Sequence, residues 1–197
     1  MAKNYVDLGL SVKWATCNVG AENPEDYGDY YAWGETEMKR QYDWITYKFR
    51  RSGDIDRNVT YNKYNNYSPA GIVDNKSLLD TSDDVAHVKW GGSWRMPTVQ
   101  ELRELVESCS FEITTINGIK GFKMSSRVIG FAGRSIFLPA AGYCEGSLIC
   151  NNGITCALWS NCGSCDTAYG LHLFESERPS VFNTFRRNGY PIRPVCP

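Results

Sequence analysis

One stretch of the chain, residues 96–109 (MPTVQELRELVESC), repeats its hydrophobic residues at the spacing of an α-helix. Thr98 and Glu101 stand at the spacing of a capping box, in which each side chain bonds the backbone amide of the other residue. The apolar face consists of Val99, Leu102, Leu105, Val106 and Cys109. The pattern predicts an amphipathic helix of about 11 residues, with Glu101, Glu104 and Glu107 on its solvated face.

A second, shorter helix is predicted to run through His87, because Ser82, Asp83 and Asp84 can cap its first turn. Elsewhere, short aromatic and β-branched runs are broken by Gly, Ser and Asn, as is typical of strands joined by loops. These runs are residues 4–17 and 26–34, separated by a turn at Asn23-Pro24, and then 118–124, 135–143, 157–161, 168–174 and 190–196. The polar, tyrosine-rich stretch from Arg50 to Asn75 predicts a long surface loop. The predicted fold class is α+β, with irregular antiparallel sheets, about two helices and long loops.

Length and charge narrow the possibilities further. A chain of 197 residues fits a single domain, residues 1–197. Its net charge of −1 and hydrophobic content of 42% provide neither a broad positive field for nucleic acid nor a signature of disorder. The start, MAKNYVDLGLSVKW, lacks the apolar core of a signal peptide, and no apolar run reaches the roughly 18 residues of a membrane span. We expect no nucleic-acid partner and no membrane insertion, and the compartment stays open.

The last third of the chain differs in composition from the rest. All nine lysines lie in residues 1–123 and none in the 74 residues that follow, and Gln and Met are absent after Met124. A codon that ends in C cannot encode Lys, Gln, Met, Glu or Trp, but it readily encodes Cys, Ile, Phe, Asn, Ser, Gly, His and Arg. Only Trp159 and three glutamates break that rule between residues 144 and 188. The composition indicates randomised positions on a constant frame, which favours a binding surface over an active site.

The cysteines of this segment suggest several kinds of chemistry. Cys162 and Cys165, with His172, form part of a zinc-binding pattern, but the second well-spaced pair that closes a structural zinc site is missing. Catalysis by a cysteine with His87 or His172 lacks a recognisable third, orienting group. We therefore expect no metal, no cofactor and no enzymatic activity. Mostly free thiols are favoured, and disulfides between neighbouring loops stay open for an oxidising medium.

Six blocks of the constant sequence form a recognisable pattern: YVDLGLSVKWATCNVGA, PEDYGDYYAWGE, VDNKSLLD, GGSWRMPTVQELREL, SIFLPAAGY and YPIRPVC. Within them, GGSWRMPT, FLPAAGY and YPIRPVC are specific. They resemble a large paralogous domain family of anaerobic gut bacteria and their phages, whose members are similar to the C-type lectin fold in its formylglycine-generating-enzyme-like form. The resemblance covers nearly the whole chain. The family includes variable proteins of diversity-generating retroelements, in which error-prone reverse transcription replaces template adenines, mostly in AAC codons. That mechanism produces the C-ending vocabulary seen here.

The resemblance implies a constant scaffold over residues 1–143, a variable ligand-binding region over 144–188 and a closing strand over 189–197. The residues expected to form the scaffold of the site are Trp94, Arg95, Gly142, Trp159, Tyr169, Tyr190 and Arg193. Trp94 is expected in the core, and Arg95 is expected to be buried and bonded to loop carbonyls. The expected variable positions are Cys144, Ile149, Cys150, Ile154, Cys156, Leu158, Asn161, Cys162, Cys165, Asp166, Gly170, His172, Phe182 and Phe185.

The apolar members of the variable set are expected to face solvent and act as contact anchors, each contributing roughly 1.5 to 3 kcal/mol if fully buried on binding. These anchors are Ile149, Ile154, Leu158, Phe182 and Phe185. The function implied is a ligand- or receptor-binding protein that displays a diversified patch on a phage particle or a bacterial surface. Its partner is expected to be a protein or a glycan on a cell or phage surface, and the oligomeric state stays open.

Two alternatives to this function remain. One is a surface adhesin or glycan-binding domain without diversification, and the other is a formylglycine-generating-type oxidase that draws its cysteines from the C-terminal set. Fold likeness alone does not carry such an activity. Calcium-dependent sugar binding is disfavoured, because the Glu22-Asn23-Pro24 triplet lies near the wrong end and Trp159-Ser160-Asn161 lacks the acid.

Overall fold

The computed structural model describes residues 4–51, 59–175 and 177–197. Its helices are α1 (Val85–Trp90) and α2 (Val99–Ser108), with 3₁₀ turns at Ser68–Ala70 and Thr81–Asp83. Its strands are β1 (Tyr5–Val6), β2 (Lys13–Ala15), β3 (Cys109–Ile116), β4 (Ile119–Ser126), β5 (Ser135–Pro139), β6 (Tyr143–Glu145), β7 (Leu148–Cys150), β8 (Cys156–Ser164), β9 (Thr167–Leu173), β10 (Ser180–Phe185) and β11 (Val195–Cys196). The pairs between these strands are antiparallel. The α+β class with mostly antiparallel sheets and two helices is thereby confirmed.

The two ends of the chain meet in one small sheet, ordered β1-β2-β11. Trp14 of β2 stands opposite Val6 on one side and Val195 on the other, and its ring is fully buried. Of the predicted closing strand 189–197, only Val195–Cys196 forms a strand. Tyr190 makes a single bridge, to Tyr31.

Residues 26–34 do not form the predicted strand. Tyr31 exchanges backbone hydrogen bonds with Tyr190, at 3.1 and 3.0 Å. Two residues later, the backbone amide of Trp33 donates to the carbonyl of Arg186 at 2.9 Å. Because these partners belong to an irregular segment after β10, no regular ladder develops. Of the predicted loop 50–75, residues 52–58 lie outside the described residues, and the remainder is irregular and buries Tyr61 and Tyr64.

Both helices start close to their predicted caps. The Thr98–Glu101 capping box is present at the start of α2. In α1, Asp84 accepts from the His87 amide at 3.1 Å, and the helix extends to Trp90, beyond the predicted end. Glu101, however, is buried and does not lie on a solvated face, because its carboxylate also binds the Arg95 guanidinium at 2.8 and 2.5 Å. None of the helices in the described ranges is long and apolar enough to cross a membrane.

Strands β8, β9 and β10 form a sheet between two clusters of buried side chains. The aromatic core includes Trp33, Tyr31 and Tyr190, and the aliphatic core includes Leu102, Phe122 and Leu138. Successive side chains of a strand point to opposite faces. In β8, Ala157 and Trp159 therefore join the aromatic core, whereas Cys156 and Leu158 join the aliphatic core.

Candidate functional site

Trp159, Tyr190 and Gly142 fix the backbone around the predicted variable segment. The rings of Trp159 and Tyr190 stack with centroids 4.3 Å apart, and the Trp159 indole N–H donates to the carbonyl of Tyr31 at 2.9 Å. Gly142 has φ 64, in the left-handed region, and a side chain there would overlap the carbonyl oxygen of Cys150. The hairpin β6–β7 and the start of β8 are thus held by residues that leave little freedom to the backbone.

Arg193 ties the same region to the N-terminal part of the chain. Its guanidinium is fully buried and donates to the Asn18 side chain at 2.8 Å and to the carbonyls of Ala15 and Thr16 at 3.0 and 2.6 Å. A further bond reaches the carbonyl of Phe137 at 2.9 Å. Burial lowers the pKa of Arg193 to about 10, which leaves it charged at neutral pH.

Two scaffold residues, Trp94 and Arg95, differ from the prediction, and Tyr169, for which no burial was predicted, lies at the surface. Tyr169 is 37% exposed, because the aliphatic core that covers its face of β9 ends at Leu171. Trp94 is half-buried and packs edge-to-face on Trp90 at 5.0 Å. Arg95 is half-buried, and its main partner is the carboxylate of Glu101, with a single carbonyl bond to the adjoining residue.

The predicted variable positions fall into three groups by burial. The exposed ones are Ile149, Ile154, Asp166 and Phe185. The half-buried ones are Cys150, Asn161, Cys162, Cys165, His172 and Phe182. The buried ones are Cys144, Cys156, Leu158 and Gly170.

The prediction that Leu158 is a solvent-facing anchor is wrong. Leu158 is 1% exposed and packs in the aliphatic core, opposite Leu171. Cys156 and Cys144 are buried as well, and a side chain at Gly170 would overlap the carbonyl oxygen of Leu158. Cys156, Leu158 and Gly170 do not face solvent because β8 and the middle of β9 have a packed core on each face, whereas Cys144 lies in β6 and packs in the aromatic core.

Two of the half-buried positions lie against constant loops. The backbone amide of Asn161 donates to the backbone carbonyl of Pro97 at 2.8 Å. The backbone carbonyl of Asn161 accepts from the backbone amide of Leu79 at 3.0 Å. The backbone of Cys162 forms an isolated antiparallel β-bridge with that of Leu78. The structure therefore places this pair beside the start of α2, where constant residues cover part of each side chain.

The hairpin β6–β7 and Phe185 are joined by Arg187. The guanidinium of Arg187 donates to the Glu145 carboxylate at 2.9 Å and lies 5.3 Å from the centre of the Phe185 ring. Beyond Glu145, the hairpin projects Leu148 and Ile149, which are 67% and 53% exposed. Arg187 thus links the Phe185 ring to the hairpin that carries Leu148 and Ile149.

Phe185 also lines a groove of about 370 Å³, called here the Phe185 groove. Its lining residues are Trp44, Val59, Tyr61, Tyr67, Ala70, Cys165, Asp166 and Phe185. Three of them come from the predicted variable segment, and the Phe185 ring packs edge-to-face on Trp44 with centroids 5.8 Å apart. A second groove of about 410 Å³, near Val6 and Phe137, contains scaffold residues only. The Phe185 groove is the stronger candidate because residues of the predicted scaffold and of the predicted variable segment meet in it.

Arg186 supports the wall of the Phe185 groove from inside. Its side chain is fully buried, donates to the carbonyl of Tyr64 at 2.9 Å and lies 4.3 Å from the centre of the Tyr61 ring. Its backbone amide donates to the carbonyl of Asp166 at 3.0 Å. The backbone on both sides of the groove is thereby connected to constant aromatic residues.

Sequence reasoning missed Arg186 and the groove residues Trp44, Tyr61 and Tyr67. The aromatic content of residues 42–67 was the available signal, but it predicts packing within a loop and not contact with a distant strand. The pair Arg186-Arg187 offers no sequence signal for which arginine is buried.

The cysteines of the variable segment are free thiols, as are the others of the chain. Burial raises the pKa of Cys144 to about 11 and that of Cys156 to about 12, and it also raises the pKa of Cys162. A thiol with a raised pKa is a weak nucleophile at neutral pH. Within the described ranges, no group of three or more His, Cys, Asp or Glu residues is arranged to hold a metal ion.

His172 lies in an apolar setting. Its ring is 4.0 Å from that of Phe174 and 4.7 Å from that of Phe182, measured between centroids. Nε2 is buried with no hydrogen-bond partner among the described residues. Burial lowers the pKa of His172 to about 4, so the ring is neutral at pH 7 and packs as an aromatic side chain.

Comparisons with protein-family models, with curated proteins and with solved structures find no match to this chain. The functional conclusion therefore rests on the residues of the chain itself. Two features bear on it: the Phe185 groove, where side chains of the predicted variable segment meet those of the predicted scaffold, and the exposed apolar side chains of the β6–β7 hairpin.

Proposed function

We propose that this chain is a ligand- or receptor-binding protein that displays a diversified patch, formed by the Phe185 groove and the β6–β7 hairpin, on the C-type lectin-like scaffold of a retroelement variable protein. The observation that carries the proposal is the groove itself, where Cys165, Asp166 and Phe185 meet constant aromatic residues. Positions of this kind tolerate exchange because a rigid scaffold holds the backbone and the side chain faces outward. The partner is a protein or a glycan on a cell or phage surface.

The backbone at Cys165 supports a diversified origin of the patch. Its φ of 49 lies in the left-handed region, which asparagine tolerates and most other side chains avoid. An AAC template codon encodes asparagine, and replacement of its two adenines by T and G gives TGC, a cysteine codon. Adenine-specific diversification thus explains a residue that the local backbone disfavours.

The exposed side chains offer enough apolar area for binding. Phe185, Ile149 and Ile154 are 43%, 53% and 53% exposed, so each would bury about half of its surface on contact, contributing roughly 1 kcal/mol. Leu148, which is 67% exposed, adds a fourth anchor next to Ile149. A cluster of such anchors with hydrogen bonds at its rim, after the cost of association, is compatible with micromolar affinity.

The oxidase alternative receives no support from the thiols. Such an enzyme needs a pair of reactive cysteines, whereas burial raises the pKa of Cys144, Cys156 and Cys162. An adhesin without diversification is distinguished by the neighbouring DNA. An adenine-biased near-repeat of codons 144–188 beside a reverse transcriptase gene supports diversification, and its absence from the locus overturns it.

The binding proposal is tested by displaying the labelled chain to a glycan array and to a panel of intact bacterial cells. We expect Phe185→Ser and Ile149→Ser each to weaken binding to a responding target by about 5-fold or more, since each removes an apolar contact of roughly 1 kcal/mol. Ile129→Ser is the matched control, because Ile129 is 97% exposed and lies in the β4–β5 connection, outside the patch. Equal losses for control and patch variants, or binding that all three leave unchanged, would reject the patch as the binding surface.

A further inference from the structure

The outer edge of the β3-β4-β5 sheet is open along β3. Ile116 and Ile119 flank the two-residue turn Asn117-Gly118, whose φ angles of 48 and 84 are those of a tight hairpin. The flanking pair of such a hairpin exchanges both hydrogen bonds, and bonded and unbonded pairs then alternate along the ladder. The backbone groups that consequently point away from β4 are those of Cys109, Phe111, Ile113 and Thr115.

The bonding of β4 to β5 agrees with this alternation. The Lys120 carbonyl, which the pattern directs toward β5, accepts from the amide of Ala140 at 2.9 Å. The far edge of β5 is closed, because Pro139 has no N–H and the outward carbonyl of Phe137 accepts from Arg193 at 2.9 Å. By contrast, the outward amides and carbonyls of Phe111, Ile113 and Thr115 have no backbone partner within residues 4–51, 59–175 and 177–197.

Most natural edge strands carry protection against pairing, such as proline, lysine or a bulge. Strand β3 reads CSFEITTI and pairs with β4 over eight uninterrupted positions, without proline, lysine or a bulge and with Glu112 as its one charged side chain. Its aromatic and β-branched side chains favour extended structure. The edge is therefore suited to accept another strand.

We infer that β3 is a dimer interface, at which a second copy of this chain adds its own β3 in antiparallel orientation around a two-fold axis. Two three-stranded sheets then become one continuous sheet of six strands. A two-fold contact uses the same patch on both copies, so a strand with an open edge is complementary to itself.

Glu112 restricts the register of the pairing. With the two-fold axis at Ile113, the backbone amides and carbonyls that point away from β4 in one copy meet those of the other copy. Phe111 then faces Thr115 of the second copy, and Glu112 faces Thr114 of the second copy. With the axis at Glu112, the two Glu112 carboxylates would face each other, which destabilises a sheet. With the axis at Phe111, the added strand would run past Cys109 against the last turn of α2. The Ile113 register avoids both conflicts.

Charges at the two ends of β3 favour a second copy as the occupant. At the Cys109 end, a groove of about 460 Å³ is lined by Arg127 and Arg178 together with one carboxylate, Glu107, so its charged lining is net positive. At the other end, the Glu25 carboxylate accepts from the Asn117 side chain at 2.6 Å. The two-fold pairing brings the Glu25 end of each copy to the arginine end of the other.

The interface is separate from the proposed binding patch. No residue of β3 lines the Phe185 groove. A dimer would therefore present two patches at once, and simultaneous engagement of two targets raises the effective affinity without new contacts.

Sedimentation equilibrium across micromolar to millimolar concentrations tests the inference. We expect the wild-type chain and Thr115→Val to form dimers, and Thr115→Pro to be monomeric, because proline removes an amide that points away from β4. Circular dichroism and thermal unfolding check that Thr115→Pro keeps the fold. A wild-type chain that remains monomeric at millimolar concentration, or one that only accepts a strand-forming peptide at this edge, overturns the dimer.

A charge change at Thr114 tests the register without proline. In the Ile113 register, Thr114 of each copy faces Glu112 of the other, so the dimer contains this pair two times. Thr114→Glu should therefore weaken the dimer and Thr114→Lys should strengthen it, each by about 2- to 30-fold in Kd. Shifts in the same direction for both variants, or no shift in either, overturn the pairing.

Discussion

Ile154 and Leu158 show how differently two similar side chains contribute in one segment. Both are aliphatic, both fit the C-ending codon pattern, and both were expected at the surface. Ile154 is 53% exposed in the connection that precedes β8, whereas Leu158 is 1% exposed inside the aliphatic core. Variation at position 158 is therefore compatible with folding only when the new side chain is apolar and of similar volume.

We predict that Leu158→Ser lowers the free energy of unfolding by about 2 to 5 kcal/mol, because it leaves a cavity and buries a hydroxyl group. Ile154→Ser, the matched change at an exposed position, should alter it by at most about 0.5 kcal/mol. Urea unfolding of the two variants measures both values. Similar losses in the two variants would contradict the separation of this segment into core and surface positions.

His172 makes the stability of the fold depend on pH. Its folded pKa of about 4 lies below the ordinary value of 6.5, so between these values the unfolded chain binds more protons. The stabilising effect of the neutral ring is complete above about pH 6.5 and declines as the pH falls toward 4. We predict that the melting temperature of His172→Phe exceeds that of the wild type by a margin that widens from pH 7 to pH 4.5. Parallel melting curves across that range would refute this effect.

Helix α2 could be predicted from sequence because its determinants are local. The capping box at Thr98 and Glu101 and the apolar face lie within 12 neighbouring positions, residues 98–109, and each contact joins residues three or four apart. The segment 26–34 could not be predicted in this way. Its aromatic residues resemble a strand, but their backbone partners, Arg186 and Tyr190, are more than 150 positions away.

The candidate site was predicted only in part for the same reason. Codon composition marks positions such as Cys165 and Phe185, but it contains no information on burial. Burial of Leu158 depends on β8 lying between two cores, and the Phe185 groove depends on Trp44 and Tyr61 approaching from a distant loop. Long-range packing decides both features, and a single sequence does not encode it in any short pattern.

Buried arginines, as well as the β8-β9-β10 sheet, hold separate segments of the chain together. Arg186 packs within the aromatic core and holds the loop at Tyr64. Arg193 joins the segment at Ala15–Asn18 to β5, so the N-terminal segment, the closing strand and the β3-β4-β5 sheet share one guanidinium. An arginine suits this position because its five N–H groups lie in a fixed plane and can serve several acceptors at once.

We predict that Arg193→Leu lowers the free energy of unfolding by at least about 3 to 5 kcal/mol, because the carbonyls of Ala15, Thr16 and Phe137 would then be buried without donors. Arg193→Lys should recover less than half of that loss, since one ammonium group cannot reach acceptors spread along both edges of the guanidinium plane. Arg103→Leu, at an exposed position of α2, controls for removal of a surface charge. Urea unfolding followed by tryptophan fluorescence measures all three variants. Full recovery by lysine would mean that Arg193 acts through its charge alone, and the joining of separate segments would then need another cause.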